Sequence, residues 1–331
     1  LGVMKDGKII LERSYGWKDA GRTEPLEPDA VMRIASVTKP FTAACIRRMT
    51  AAGLISLDDR VFDLGQPGGG LLRVDPYPRL VDERFRDVTV RHLLEHTAGW
   101  DPEVAGDLTF RELGIAGAMG IASPPDRREM ARWILGHPLQ HSPGERRIYS
   151  NEGYFFLGLI IEKYTGRDYL EYLSSEVLEP AGIPRSEITF GRTLRSDQHE
   201  REPWYESRDL SESVLQPGVE VERAYGGWTL ENHFSVGALI ASPSALLRFM
   251  EAHYVIGLRI GLPREEGDSG GWTLSHTGGF AGTSSLARQR GDGIHYAVIF
   301  NKYAPAPGDY AVGVRTLLDR VIADHVRAWP E

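Results

Sequence analysis

The chain has 331 residues, 41% apolar and 25% charged, with a formal net charge of −8. That length and apolar content support one large domain or two interlocked ones around a substantial core. The acidic balance, without a Lys/Arg run, excludes a general nucleic-acid binder; no apolar stretch reaches the roughly 18 residues of a membrane span, and the lone Cys45 excludes an internal disulfide.

Residues 1–17 predict a β-hairpin, because Lys5-Asp6-Gly7-Lys8 places an Asp-Gly turn between apolar runs. From Pro40 to about Ala52, Phe41, Ala44, Cys45 and Met49 recur at helical spacing, with Gly53 as the stop. Cys45 falls within this apolar helix and is read as core filler. The Gly-, Pro- and Asp-rich stretch 65–87 predicts a surface excursion. Thr89 to Glu95 predicts a short helix capped by Thr89. Residues 101–130 predict loop and short helix. Helices follow over 154–165 and 168–178, broken at Thr165-Gly166, then a polar irregular stretch over 185–232 and a helix from Ser242 to Tyr254.

The C-terminal part changes character. Gly271–Thr277, Thr283–Gln289 and Ile294–Asn301 predict three short strands joined by Gly-rich turns, and Tyr310–Trp329 a closing helix. Strands at both ends with helices between them imply an α/β (α+β) chain. The terminal hairpin and the distant meander are expected to share one antiparallel sheet. The expected division is a sheet lobe from residues 1–35 and 233–331, and a mostly helical lobe from 36–232.

Three short motifs carry chemistry. Ser36-Val37-Thr38-Lys39 sets a hydroxyl and an amine three residues apart ahead of a helix, a spacing that puts Cβ atoms about 5–6 Å apart on one face. A serine is a weak nucleophile until a neighbouring base takes its proton, and a lysine does so only when its pKa falls well below about 10.4. Tyr149-Ser150-Asn151 follows Pro143-Gly144-Glu145 just before a helix. His276-Thr277-Gly278-Gly279 ends a predicted strand at the start of a turn.

In this order the motifs resemble the serine β-lactamase and penicillin-binding protein-like family, which carries S-x-x-K, a second tripeptide and K-T-G. Tyr-Ser-Asn in the second slot is similar to the branch of class C β-lactamases, DD-peptidases and esterases. Arg33-Ile34-Ala35, Arg91–Gly99 and Gly153-Tyr154 running to Thr165-Gly166 agree with it. The resemblance implies a β-lactamase/transpeptidase-like fold, an antiparallel sheet flanked by helices with an inserted, mostly helical lobe and the site between them. It implies that Ser36 is acylated, and that Lys39 and Tyr149 share removal and return of its proton, either one being the base. Asn151 would bind the substrate amide and orient Lys39. The N–H groups of Ser36 and Gly279 would form the oxyanion hole, and Gly278 and Gly279 would let the strand approach the substrate. No cofactor or metal is implied. The expected partner is a small molecule or peptide with an amide or ester carbonyl.

Two departures stand out. His276 replaces the usual lysine, and a histidine with a pKa near 6.5 is mostly neutral at pH 7, a poorer anchor for a β-lactam carboxylate. His-Thr-Gly resembles the variant of some DD-peptidases and D-amino-acid-processing peptidases, and related esterases also vary here, so the resemblance implies a DD-peptidase-like enzyme first, a carboxylesterase close behind and a β-lactamase third; a non-catalytic binding member is the rival of another class. The helix that family members usually carry before the first strand is also missing, as expected of a truncated chain. Compartment and oligomeric state are not readable.

Three other patterns compete for function. Gly267-Asp268-Ser269-Gly270-Gly271 spells a nucleophile elbow, but a polar loop precedes it and a strand follows, so it predicts a turn. His92-Leu93-Leu94-Glu95-His96 matches an inverted zinc-protease signature, and capping and packing explain both histidines. Arg290-Gly291-Asp292 predicts a turn between strands.

Overall fold

A computed structural model describes residues 1–264, 272–303 and 310–324. Asp6 and Gly7 take φ of +48° and +77°, the left-handed pair that a tight hairpin turn needs. They fold β1 (Gly2–Lys5) back on β2 (Lys8–Glu12). The other edge of β1 pairs antiparallel with β12 (Ile294–Phe300), which continues to β11 (Thr283–Arg290) and β10 (Thr273–Phe280). The hairpin and the meander therefore form one five-stranded sheet, β10-β11-β12-β1-β2.

Alternation along these strands feeds two cores. Val3, Leu286, Tyr296 and Val298 pack under α9 (Tyr310–Asp324), whose Ala311, Val314 and Leu318 face them. Met4, Ala287 and Ala297 point the other way, into the main core with Leu246 and Leu247 of α8 (Pro243–Ala252). This is the two-residue period of a pleated strand covered on both faces. Ser242 caps α8 by accepting Ala245 N–H at 3.0 Å.

The second half of the main core is helical. α1 (Thr38–Ala51) is buried from Thr38 through Ile46 and stops at Gly53, whose φ is +71°. Around it run α2 (Val90–Leu94), α3 (Pro102–Ala105), α4 (Glu112–Met119), α5 (Arg127–Leu135), α6 (Asn151–Thr165) and α7 (Tyr169–Leu173). A small sheet of β3 (Met32–Arg33), β9 (Leu239–Ala241) and β6 (Ile188–Phe190) joins the chain before α1 to the chain before α8. Two short pairs complete the strands, β4 (Phe62–Asp63) with β5 (Leu72–Arg73) and β7 (Leu210–Glu212) with β8 (Glu220–Glu222).

Several local expectations change. The strand carrying His276 does not stop at Thr277: β10 runs through both glycines to Phe280, because Gly278 and Gly279 pair with Ser285 and Ser284. Paired backbone does not need a side chain to stay extended. Residues 101–130 hold loop and short helices, as expected, with Asp101 and Asp126 as caps and α5 running on to Leu135. Helix α6 starts at Asn151, two residues ahead of Gly153, and is buried nearly all round. Gly158 lets Ser235 and Phe234 approach it, and a Cβ there would sit 2.3 Å from Ser235 Oγ. The closing helix is described to Asp324.

Candidate active site

The nucleophile motif sits on a strained turn between β3 and α1. Ala35, fully buried, holds φ at +46°, a conformation that costs a residue with a Cβ about 1–3 kcal/mol and persists only where surroundings over-determine it. They do so here. Thr283 Oγ1 donates to Arg33 O at 2.7 Å and Ser285 Oγ to Ile34 O at 2.6 Å, so β11 grips the backbone leading into Ser36. The buried Arg33 side chain donates to Ala224 O and Arg192 O, and its guanidinium lies 4.4 Å from the Tyr205 ring centroid.

One turn on, Lys39 is fully buried, its Nζ 3.1 Å from Ser36 Oγ and 3.0 Å from Val236 O. Burial lowers its pKa to about 7, against the opposing pull of Asp107 and Glu152. The Tyr149 hydroxyl lies 2.7 Å from the same Ser36 Oγ. The protein packed around that phenol raises its pKa, while 44% of the residue remains exposed to cleft solvent, which tempers the shift. An amine that ionises near neutrality and a protonated phenol thus converge on one hydroxyl.

Asn151 begins α6, and its Nδ2 donates to Asp107 Oδ2 at 2.6 Å, while its Oδ1 has no hydrogen-bond partner among the described residues. The expectation that Asn151 orients Lys39 therefore changes: the Val236 carbonyl holds the amine, and Asp107 holds Asn151. His276 lies on β10 with Nδ1 3.0 Å from Thr277 O. Its surroundings, followed by the Lys39 charge, lower its pKa to about 4, so it is neutral at pH 7 even though part of its surface opens on the cleft.

A cleft of about 440 Å³ opens above these groups, floored by Ser36 and Tyr149 and walled by His276 through Gly279, Ile256 and Tyr303. Both glycines serve close approach. A Cβ at Gly278 would lie 2.3 Å from Ile34 O and 2.9 Å from Ser36 N, and one at Gly279 would lie 2.6 Å from the Tyr303 ring. The structure thus brings Ser36, Lys39, Tyr149, His276, Thr277, Gly278 and Gly279 together, with Asn151 alongside through Asp107.

Three further residues belong to this neighbourhood. His96, which carries a φ of +58°, stacks its ring 4.7 Å from Tyr149 and 5.0 Å from Tyr154 and accepts Ser150 N–H at 3.3 Å. Burial, then the Lys39 and His276 charges, push its pKa to about 3, so it acts as a neutral plate behind Tyr149. Asp107 and Glu152 form the acidic wall behind Lys39. No local motif marks Asp107 or Glu152; only the chain's long-range packing places them.

The competing patterns resolve differently. His92 Nδ1 accepts Thr89 N–H in the cap of α2, and His96 lies past that helix, so the two do not face one metal; no metal-binding cluster occurs among the described residues. Arg290-Gly291-Asp292 is the β11–β12 turn, closed by Arg290 donating to Asp292. Cys45 is buried and its thiol pKa is raised by desolvation, as suits a packing residue. The segment Gly267–Gly271 lies outside the described residues.

The beta-lactamase family profile matches residues 1–317. The chain belongs to the beta-lactamase family. Among curated relatives, penicillin-binding protein 4* of Bacillus subtilis (strain 168) is 27% identical over 249 residues, covering 75% of this chain and 50% of that protein. Protein flp of Staphylococcus aureus (strain MW2) is 28% identical over 199 residues, 60% of this chain and 36% of that protein. The chain thus spans half or less of the length of these relatives. Among solved structures, the octameric penicillin-binding protein homologue from Pyrococcus abyssi superposes with a TM-score of 0.65 at 23% identity, covering 96% of this chain and 72% of that one. The D-amino acid amidase from Ochrobactrum anthropi SV3 also gives 0.65, at 21% identity, over 97% and 91%. Both share the fold of this beta-lactamase-family chain, a serine-hydrolase fold.

Proposed function

We propose that the chain is a serine hydrolase that works through an acyl-enzyme on Ser36, of the DD-peptidase-like kind that cleaves amides of D-amino acids. The convergence of Lys39 Nζ and Tyr149 OH on Ser36 Oγ, at 3.1 and 2.7 Å, carries this reading. In it, neutral Lys39 takes the Ser36 proton as Oγ attacks the substrate carbonyl carbon. The resulting oxyanion is received by the N–H groups of Ser36 and Gly279, an interaction of the kind worth about 3–4 kcal/mol per donor. Tyr149, protonated, passes a proton to the leaving nitrogen or oxygen and recovers one from Lys39, so the carbonyl–leaving-group bond breaks without net charge transfer out of the site. Water then attacks the ester in the reverse sense, with Lys39 again the base, releasing the acid and Ser36. Assigning the base to Lys39 follows from the two shifts: burial brings the amine to about 7 and pushes the phenol up.

The amide of a D-amino acid is favoured because it carries no free carboxylate and so needs no cation from the neutral His276, and the D-amino acid amidase fold relative is of that substrate class by its name. The same neutral His276 supports a second reading, a carboxylesterase, and weighs against a dedicated β-lactamase. Turnover of a D-alanyl-D-alanine peptide, a D-amino acid amide, a p-nitrophenyl ester and a chromogenic cephalosporin should be compared side by side. The proposal expects the D-configured amides to give the highest kcat/KM. Dominance of the ester would move the assignment to an esterase, dominance of the cephalosporin would overturn it, and no turnover of any would point to a binding protein.

A further inference from the structure

Asn151 and Glu152 open α6, and both bond the segment 107–110. Asn151 Nδ2 donates to Asp107 Oδ2 at 2.6 Å, and Leu108 N–H donates to Glu152 Oε1 at 2.9 Å. Further along the segment, the Phe110 ring stacks 4.2 Å from His233 and meets Phe280, the last residue of β10, edge-on at 6.4 Å. The segment is thus fixed to the helix that carries Asn151 and to the strand that carries Gly278 and Gly279.

The Asp107 carboxylate is surrounded by donors. Its Oδ1 accepts Thr109 N–H at 2.9 Å and the Thr109 hydroxyl at 2.6 Å, while its Oδ2 takes Asn151. A carboxylate accepts and does not donate, so the Asn151 atom facing it must be the nitrogen. Turning the amide over would set two oxygens 2.6 Å apart. Asp107 therefore fixes which way round Asn151 stands. The asparagine Oδ1 is buried and has no hydrogen-bond partner among the described residues, although Asn151 as a whole is partly exposed. Lys39 does not fill the vacancy, because its Nζ bonds Ser36 Oγ and Val236 O. A buried acceptor left empty is costly, and an N–H supplied by a bound molecule relieves that cost.

Charge selects among such donors. The partly buried carboxylates of Asp82, Glu187 and Asp319 each have an arginine within 3.4 Å. Asp107 bonds Thr109 and Asn151 and has no ion pair among the described residues. A cationic donor at Asn151 therefore gains an attraction to Asp107 that a neutral one lacks. Asn151 stands two residues from Tyr149, whose hydroxyl is 2.7 Å from Ser36 Oγ, so a donor held there lies close to the scissile carbonyl.

We propose that Asp107 is a positioning residue for selectivity: it locks Asn151 with the amide oxygen offered to substrate, so the site receives a protonated amine next to the scissile carbonyl, the free α-ammonium of a D-amino acid amide. Asp107 acts through Asn151 and touches no reacting atom. The selectivity rests on the acyl-transfer reading above; the orientation of Asn151 does not.

D-Alanine p-nitroanilide and isobutyric acid p-nitroanilide differ by an ammonium replaced with a methyl group, and both release the same chromophore. The wild type should prefer the first; equal kcat/KM values would overturn the proposal. In Asp107→Asn, the two Thr109 donors still hold an oxygen, so the new NH2 group faces Asn151, which must turn over to meet it. The ratio of the two kcat/KM values should then fall about tenfold or more. A merely structural loss lowers both rates alike, and an unchanged ratio would overturn the proposal. The orientation is also read without turnover. The chain has three asparagines, Asn151, Asn232 and Asn301, so selective ¹⁵N-asparagine labelling of the wild type gives three side-chain amides, with Asn151→Ala identifying the one that matters. One of its protons should lie far downfield through its bond to a carboxylate, and excess D-alaninamide, but not isobutyramide, should move the resonance. Two ordinary proton positions, or no response to D-alaninamide, would overturn the proposal even should Asp107→Asn not fold. Hydrolysis of neither anilide nor of p-nitrophenyl acetate would count against the acyl-transfer reading, and the amide spectrum would still decide the role of Asp107.

Discussion

Burial brings Lys39 to a pKa of about 7, which makes roughly half of its amine neutral at pH 7; an unshifted lysine would be neutral in fewer than about one molecule in a thousand. The acyl-transfer reading therefore predicts an acid limb in kcat/KM centred near pH 7, falling about tenfold per unit below it. A rate independent of pH from about 5 to 8 would exclude Lys39 as the base. His276 makes the opposite use of its surroundings. Its pKa of about 4 keeps it uncharged, so His276→Lys should speed acylation by benzylpenicillin, whose carboxylate gains a cation, by about tenfold or more relative to acylation by a neutral ester. Equal effects on both probes would show that the charge at this position does not select substrates. At this scale Ser36, Lys39, Tyr149 and the His276-Thr277-Gly278-Gly279 run were readable, because each sits in a local pattern. His96, Asp107 and Glu152 were not, since their importance comes from what they face rather than from what surrounds them in sequence.

Elements position these residues through backbone contacts that side chains cannot replace. Strand β10 passes so close to the Ala35–Val37 turn that Gly278 has no room for a methyl group: the obstacles at 2.3 and 2.9 Å are Ile34 O and Ser36 N, both backbone. Gly278→Ala should therefore cost about 1–3 kcal/mol of stability and reduce activity further than that loss explains, as measured by denaturant unfolding beside steady-state kinetics. An alanine variant with wild-type stability and rate would show that strand and turn can separate freely. The hairpin, α1, α2 and α8 were legible because turn residues, caps and apolar spacing all agreed for them. The extension of β10 through two glycines was not, because glycine signals a turn locally while pairing with Ser284 and Ser285 is a long-range fact. Loop and short helix were anticipated over 101–130, but not which residues cap those helices, since composition hides Asp101 and Asp126 among glycines and prolines.

Across the whole molecule, the site exists only where distant stretches meet. Ser36 comes from the turn ahead of α1 and Lys39 from the first turn of α1, Tyr149 and Asn151 from the entry to α6, the Val236 carbonyl from the approach to β9, and His276 to Gly279 from β10. Arg33, reaching Arg192 and Ala224, and Thr283 and Ser285 on β11 clamp the turn from outside it. The shared sheet of hairpin and meander was anticipated from strands at both chain ends. The small β3-β9-β6 sheet was not, because strands of two or three residues carry too little pattern to register. The central claim is that this assembly makes Ser36 the one nucleophile that is acylated, and covalent labelling by a fluorescent penicillin, read by intact mass and peptide mapping, tests it most directly. The account predicts a single adduct on Ser36 in the wild type and none in Ser36→Ala; undiminished labelling of Ser36→Ala would contradict it.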